Sequence, residues 1–545
     1  MFSRLLFSKQ ARLKHSSVSA LFVAASLLAA MLVSSAHAND VLTYHNDLSR
    51  SGQNLNETIL TTSNVNSATF GKLLTLSVDS TIDAQPLYAA SVMIAGVSHN
   101  VVYTATENDS VYAFDAESGE QLWKVSVFLS GETAASITPL DCGQITPTIG
   151  VTATPVIDRT SGPNGTIYVV AMSEDASGNY YQRLHGLDMT TGEENFGGPV
   201  TIQATYPGTG LGSKNGTLTF DPEEYAERAG LVLLNGVIYI GWSSHCDNPP
   251  YTGWLMAYNE TTLAQTSVLN LTPNGGRGTI WQSGAAMASD GSNIYFLDAN
   301  GTFDTTLNTD GFPKYGDYGN AFIKVATTGG LAVADYFAMY NTVEQSNRDN
   351  DFGSGGVLLL PAQVNSLGVT LNLAVGAGKD TNIYIANESN MGKFSAKGNN
   401  AIYQEVEGAL GSGMWAMPAY FNQNVYFGPQ GGTLKQFTLS DAKLSTEAAS
   451  TTTETFEYPG TIPSVSANGT TNGIVWALEH STPNAVLHAY TATNLSTELY
   501  NTNQAANDRD HFGEATHFGV PTISDGKVFV GTTDSVVVFG LLGAK

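Results

Sequence analysis

The stretch Val111–Trp123, VYAFDAESGEQLW, decides the fold. Val111–Phe114 are β-branched, small or aromatic and suit a strand. Asp115 ends that strand with a carboxylate able to accept bonds from the backbone amides of a turn. Gly119 supplies the freedom a tight turn needs. Trp123 then places a large apolar body with a single N–H donor at the start of the next strand. A lone hairpin has no use for so large a side chain there. A strand that must lock onto a neighbouring sheet does.

The same ingredients recur along the chain: a small or Pro-containing strand, a turn, an "hYhh" strand, a second turn, and a strand ending near an acid or amide. The first unit contains NVVYTATENDSVYAFDAESGEQLW and the second ATPVIDRTSGPNGTIYVVAMSED with LHGLDMTTGEENF. The third holds GLVLLNGVIYIGW, the fourth GSNIYFLDANG, the fifth LNLAVGAGKDTNIYIANESNMG and the sixth AMPAYFNQNVYFGPQGG. The seventh holds NGIVWAL with VLHAYTATNLSTELY, and the eighth GVPTISDGKVFVGTTDSVVVFGLL. Strand-rich units at this spacing, without long amphipathic helices, predict an all-β chain: an eight-bladed β-propeller of four-stranded antiparallel blades. Stacked β-sandwiches are the alternative. The eighth unit stops at Phe539, before its outer strand. The segment FGKLLTLSV, Phe70–Val78, is available to complete it and so remove an open sheet edge.

Residues 1–38 are set apart. Arg4, Lys9, Arg12 and Lys14 precede the apolar run ALFVAASLLAAMLV, and AHA ends at Ala38. That reads as a signal peptide cleaved after Ala38, with residues 39–545 as a single propeller domain in the periplasm or outside the cell. No later apolar run is long enough to span a bilayer. Four of the 23 basic residues and none of the 48 acidic ones precede residue 39, so residues 39–545 carry a formal charge of −29. A chain this acidic is unsuited to nucleic acid, which is gripped through Lys and Arg. Cys142 and Cys246 are the only cysteines, and both lie in Pro-bearing, loop-like segments, so a disulfide between them is expected on export. No CxxCH or CxxC motif is present, which leaves no covalent haem and no zinc pair.

A-x-D-x-x-x-G-x-x-x-W at 113–123 resembles the tryptophan-docking motif of the pyrroloquinoline quinone (PQQ) dehydrogenase propellers, in which the Trp packs between adjacent blades. The second unit keeps GLDMTTGEENF with Phe196 in the Trp place, and TYHNDLSRSGQN at 43–54 is similar to the opening of many quinoproteins. The resemblance covers nearly all of residues 39–545. It implies PQQ and a calcium ion at one mouth of the channel and a carboxylate base acting on an alcohol or sugar.

Residue by residue, VVAMSEDASGNYYQRLHGLD implies Ser173 at the quinone and Glu174 on calcium, with Asp175 as an alternative. TIWQSGAAMASDGSNIYFLDANGTFD implies a stacking Trp281 and a calcium-binding Asn300. NRDNDFGSGGVLLL implies Asp349 or Asp351 as the base, and GAGKDTNIYIANESNMG implies Lys379 on the quinone oxygens. These types suit the chemistry. Calcium takes hard oxygens, a carboxylate takes the substrate proton, and an aromatic floor holds a planar ring.

The sequence also departs from the family pattern. The family's adjacent cysteines and a nearby Arg are missing from STIDAQPLYAA, and Met414 stands before Trp415 where an amide is expected. His45 and His245 are read as structural or loop histidines. Two function classes follow: an exported PQQ- and calcium-dependent dehydrogenase passing electrons to a separate acceptor, or a non-catalytic propeller that binds protein or polysaccharide on its face.

Overall fold

The structure is a computed structural model and describes residues 40–140 and 142–543. The expected signal peptide lies outside the described residues. Eight antiparallel sheets form a ring, an eight-bladed β-propeller. Blade 1 is Leu87–Ile94, Val97–Ala105, Ser110–Asp115 and Gln121–Ser126. Blade 2 is built on Val156–Asp158, Thr166–Asp175 and Tyr180–Asp188. The first strands of blades 3 to 7 are Val232–Leu234, Ala288–Ser289, Leu358–Leu359, Ala419–Phe421 and Ser464–Asn468. Blade 8 consists of Thr522–Ser524, Lys527–Gly531, Ser535–Leu541 and, as its outer strand, Phe70–Ser77. The N-terminal strand thus closes the ring, with Phe70 facing Leu541 and Ser77 facing Ser535.

The apolar cores lie between blades. One joins Leu87, Tyr103 and Trp123 of blade 1 to Ile167 and Val169 of blade 2. Another joins Phe70, Val528 and Phe539 of blade 8 to Trp476 and Tyr500 of blade 7. Trp123 behaves as the opening stretch requires. Its Nε1 donates to the Met189 carbonyl in the turn of blade 2 (3.1 Å), and a Cβ at Gly192 would meet its ring at 2.9 Å. Asp115 accepts from the backbone amides of Glu117 and Ser118, and Gly119 sits at φ +77°. Phe196 packs on Gly186 and joins the core between blades 2 and 3.

In three of the "hYhh" strands the Tyr makes the same cross-blade bond. Tyr103, Tyr168 and Tyr426 donate to the carbonyls of Met189, Glu260 and Ala492, each in the next blade. A buried ring fills the gap between sheets while its hydroxyl satisfies a turn carbonyl.

The channel is closed at one end by residues 41–54. This segment bonds in turn to the first strands of blade 1 through Val41 and Tyr88, blade 2 through Leu42 and Ile157, and blade 4 through Leu48 and Ser289. It continues to blade 5 through Ser49 and Leu359, blade 6 through Ser51 and Tyr420, and blade 7 through Gly52 and Val465. Buried Arg50 donates to the carbonyls of Tyr44 and Met287, and His45 is held between the carbonyls of Arg50 and Pro463. His45 is therefore structural.

Candidate active site at the open mouth of the channel

One topological rule builds the opposite mouth. Its lining residues stand just before the first strand of a blade or just after its second. Trp281 precedes the first strand of blade 4, and Asn300 follows the second strand of that blade, Asn293–Leu297. Asp349 and Asp351 precede the first strand of blade 5, and Lys379 follows its second, Leu373–Ala377. Arg228 precedes blade 3, Trp415 blade 6, Tyr458 blade 7 and Phe518 blade 8. These short links hold several non-glycine residues in the left-handed region, among them Gln282, Ser283, Asp349 and Phe518. Such conformations persist where the surroundings over-determine them.

Five of the seven expected site residues meet here. Trp281 Nε1 donates to Asp351 Oδ2 (2.8 Å), and the backbone amide of Asn300 donates to Asp351 Oδ1 (3.2 Å). Asn300 Nδ2 donates to Asp349 Oδ1 (2.7 Å). Lys379 Nζ stands 2.9 Å from Asp349 Oδ1 and 4.0 Å from Asp351 Oδ2, and lies 5.5 Å from the Trp415 ring centre. The Lys379 amide donates to the Asp351 carbonyl, and a Cβ at Gly378 would strike the Phe352 backbone at 2.6 Å. The two links of blade 5 therefore pack backbone to backbone. Met414, where an amide was expected, is buried in the apolar core.

The two carboxylates differ. The Asp349 side chain is 69% exposed and that of Asp351 6%. Burial pushes the Asp351 carboxyl up to about 6, against the opposing pull of Lys379 and the Trp281 bond. A carboxylate poised near neutrality in a cleft has the properties of a general base.

Ser173 and Glu174 lie apart from this cluster. The second strand of blade 2, Thr166–Asp175, runs on into a hairpin in which Glu174 faces Tyr180. Ser173 Oγ donates to Glu132 (2.7 Å), which is ion-paired to Arg183 at 2.6 Å. Asp175 caps the same hairpin through the amides of Ser177 and Asn179.

The mouth opens on two adjoining hollows of about 270 and 310 Å³ that share Gln144, Ser243, Ser244, Cys246, Trp281 and Tyr458. The outer one holds Asn300, Asp349, Asp351, Lys379 and Trp415. The inner one holds Asp83, Arg228, His245, His517 and Phe518. Together they reach the size of small-molecule sites. Their roof includes Cys142, Gly143, Gln144 and Ile145. The expected disulfide ties that roof to blade 3, with a Cα separation of 5.4 Å between Cys142 and Cys246.

Arg228 and His245 escaped the reading of the sequence as ligand-facing groups. Arg228 comes from a different segment than STIDAQPLYAA, and its signal is a lone Glu-Arg pair just ahead of a strand. His245 is not a satisfied histidine: its Nε2 is buried without a partner, and burial lowers its pKa to about 4.

The donor set bears on metal binding. Asn300 Oδ1 is buried with no partner and is available to an ion. Glu174, the other expected ligand, is in the blade 2 hairpin. Among the described residues no group of three His, Cys, Asp or Glu side chains is arranged to hold a metal. Lys379 already occupies the space beside Asp349 and Asp351. The residues present do not fit calcium.

The fold is an eight-bladed propeller, and solved quinoprotein dehydrogenases share it. Among solved structures, the quinohemoprotein alcohol dehydrogenase of Comamonas testosteroni matches with a TM-score of 0.61 at 13% identity, covering 93% of this chain and 81% of that one. The quinohemoprotein alcohol dehydrogenase ADHIIG of Pseudomonas putida HK5 matches at 0.59 and 13%, with the same coverage. A europium-containing methanol dehydrogenase matches at 0.58 and 11%, covering 92% of this chain and 98% of that one. At these identities the likeness establishes the fold. No protein-family model matches the sequence, and no curated protein matches it. Among the described residues no helix is long and apolar enough to cross a membrane.

Proposed function

We propose that this chain is an exported, quinoprotein-type dehydrogenase that binds PQQ against Trp281 and oxidises an alcohol or sugar, passing electrons to a separate acceptor. The observation that carries the reading is the convergence of Trp281, Asn300, Asp349, Asp351 and Lys379, from four links of two neighbouring blades, on one hollow. PQQ fits the residues present: an aromatic wall, a cation at each end and enough room. Bound PQQ would supply a two-electron acceptor.

The chain supplies the rest. Trp281 orients the planar ring by stacking. Asp351, held by Trp281 and the Asn300 amide, takes the proton of the substrate hydroxyl at its carboxylate. Lys379 donates to quinone oxygens and holds Asp349 aside. The roof residues 142–145 limit entry of water. Ser173 and Glu174 have no step in this scheme.

The test is a fluorescence titration of the purified protein with PQQ, followed by turnover with an artificial electron acceptor. Saturable micromolar binding is expected. Asp351→Asn should keep that binding and lose on the order of 100-fold in turnover. Mass spectrometry of exported protein should find a chain beginning at Asn39. The non-catalytic propeller is favoured by one observation, the separation of Ser173 and Glu174 from the mouth. Absence of PQQ binding would give that reading the field.

A further inference from the structure

We propose that two protein cations, Arg228 and Lys379, at opposite ends of the cavity, neutralise the anionic quinone, and that its binding requires no divalent metal ion. This rests on the functional reading above and extends it to how the ligand's charge is met.

An anionic ligand enters a partly buried cavity only if charge or hydrogen bonds replace its water. The outer end has Lys379, whose ammonium touches Asp349 and reaches Asp351. The inner end has Arg228, whose side chain is buried beneath the hollow it lines. Its Nη1 donates to the Thr152 carbonyl (2.8 Å), and its guanidinium lies 5.6 Å from the Phe518 ring centre. The carboxylate that pairs with it, Asp83, is 3.9 Å away, so its planar set of donors is not saturated. A guanidinium in that state suits a carboxylate, which it can grip with two parallel bonds. The partnerless Nε2 of His245 lines the same hollow.

The acids behind Arg228 do not cancel it several times over. Burial, then the neighbouring Asp83, raises the Glu107 carboxyl to about 9, so Glu107 keeps its proton at neutral pH. Glu227, wholly buried, is raised well above the usual carboxylate range by burial. Both of these buried acids thus favour their uncharged forms beside Arg228. At the outer end, Lys379 stands where a metal ion would have to draw on Asp349 and Asp351.

PQQ and its uncharged trimethyl ester are titrated against the full mature chain, once after exhaustive chelation and once with millimolar calcium, following tryptophan quenching. Chelated wild type should bind PQQ within threefold of its affinity in calcium, and should bind the ester at least tenfold more weakly than PQQ. Arg228→Met and Lys379→Met should each lose at least tenfold in PQQ affinity. Thermal melting confirms that each variant is folded, and the rim position of Lys379 keeps the test open if Arg228→Met fails to fold. Binding abolished by chelation and restored by calcium overturns the inference and leaves the functional reading standing. Unchanged affinity in a folded Lys379→Met also overturns it. No PQQ binding under either condition overturns both.

Discussion

Replacing Asp351 with Asn should stabilise the protein at alkaline pH while disabling the proposed chemistry. The Asp351 carboxyl stands at about 6 in the fold against 3.8 for a free side chain. Its ionised form is thus disfavoured by folding. Stability contributed by this group is complete below pH 3.8, falls as pH rises from 3.8 to 6, and is level above. At 1.36 kcal/mol per pH unit the full loss is about 3 kcal/mol. Asn carries no charge and escapes it. The substitution also has a cost, since Trp281 Nε1 and the Asn300 amide both donate to Asp351 and Asn offers one oxygen. One donor left without an acceptor costs about 1–2 kcal/mol. The net expectation is a variant about 1–2 kcal/mol more stable than wild type at pH 8 and no more stable at pH 4.5, a swing of about 2 kcal/mol. Urea denaturation of both proteins across that range, followed by tryptophan fluorescence, reads the swing directly. A stability difference that does not change with pH would refute the assignment of a buried, raised carboxyl to this position.

Trp123→Ala should cost about 3–5 kcal/mol, because it empties the gap between blades 1 and 2 and removes one of the two donors to the Met189 carbonyl. Trp123→Phe should cost nearer 1 kcal/mol, and chemical denaturation separates the two. The paired change Cys142→Ser and Cys246→Ser closes no loop across the 104 positions between them, and should lower stability by up to about 4–5 kcal/mol in the chain-entropy account. Peptide mapping without reductant should recover the linked pair from wild type, and free thiols there would contradict it.

The architecture was legible because its signals are local and repeated. The Tyr of three "hYhh" strands serves the next blade's turn, and the Val111–Trp123 stretch holds strand, turn and staple within 13 residues. Ring closure was legible because the eighth unit visibly lacks a strand and Phe70–Val78 has no other use. The mouth was half legible. Trp281, Asn300, Asp351 and Lys379 sit close to strand ends, so a local match carries them to one mouth of the channel. Ser173 and Glu174 matched a local pattern too, but their strand runs on to Asp175, and strand length rather than residue type decides how far a side chain stands from the axis. Arg228 and His245 had no motif around them. Their part in the cavity follows from burial and missing partners, which only the packed molecule shows.

The strand that seals blade 8 is an early part of the chain, and its partner is almost the last. Ser77 faces Ser535, 458 positions further on. During synthesis, Phe70–Ser77 waits with its backbone unpaired while seven blades assemble. Pairing so distant in sequence carries a large loop-closure entropy and slows the final step. Until that step, two open strand edges are available to other chains. The finishing bond of the ring is therefore also its point of greatest exposure to aggregation, and loss of the last strand alone would leave an otherwise folded arc that cannot shut.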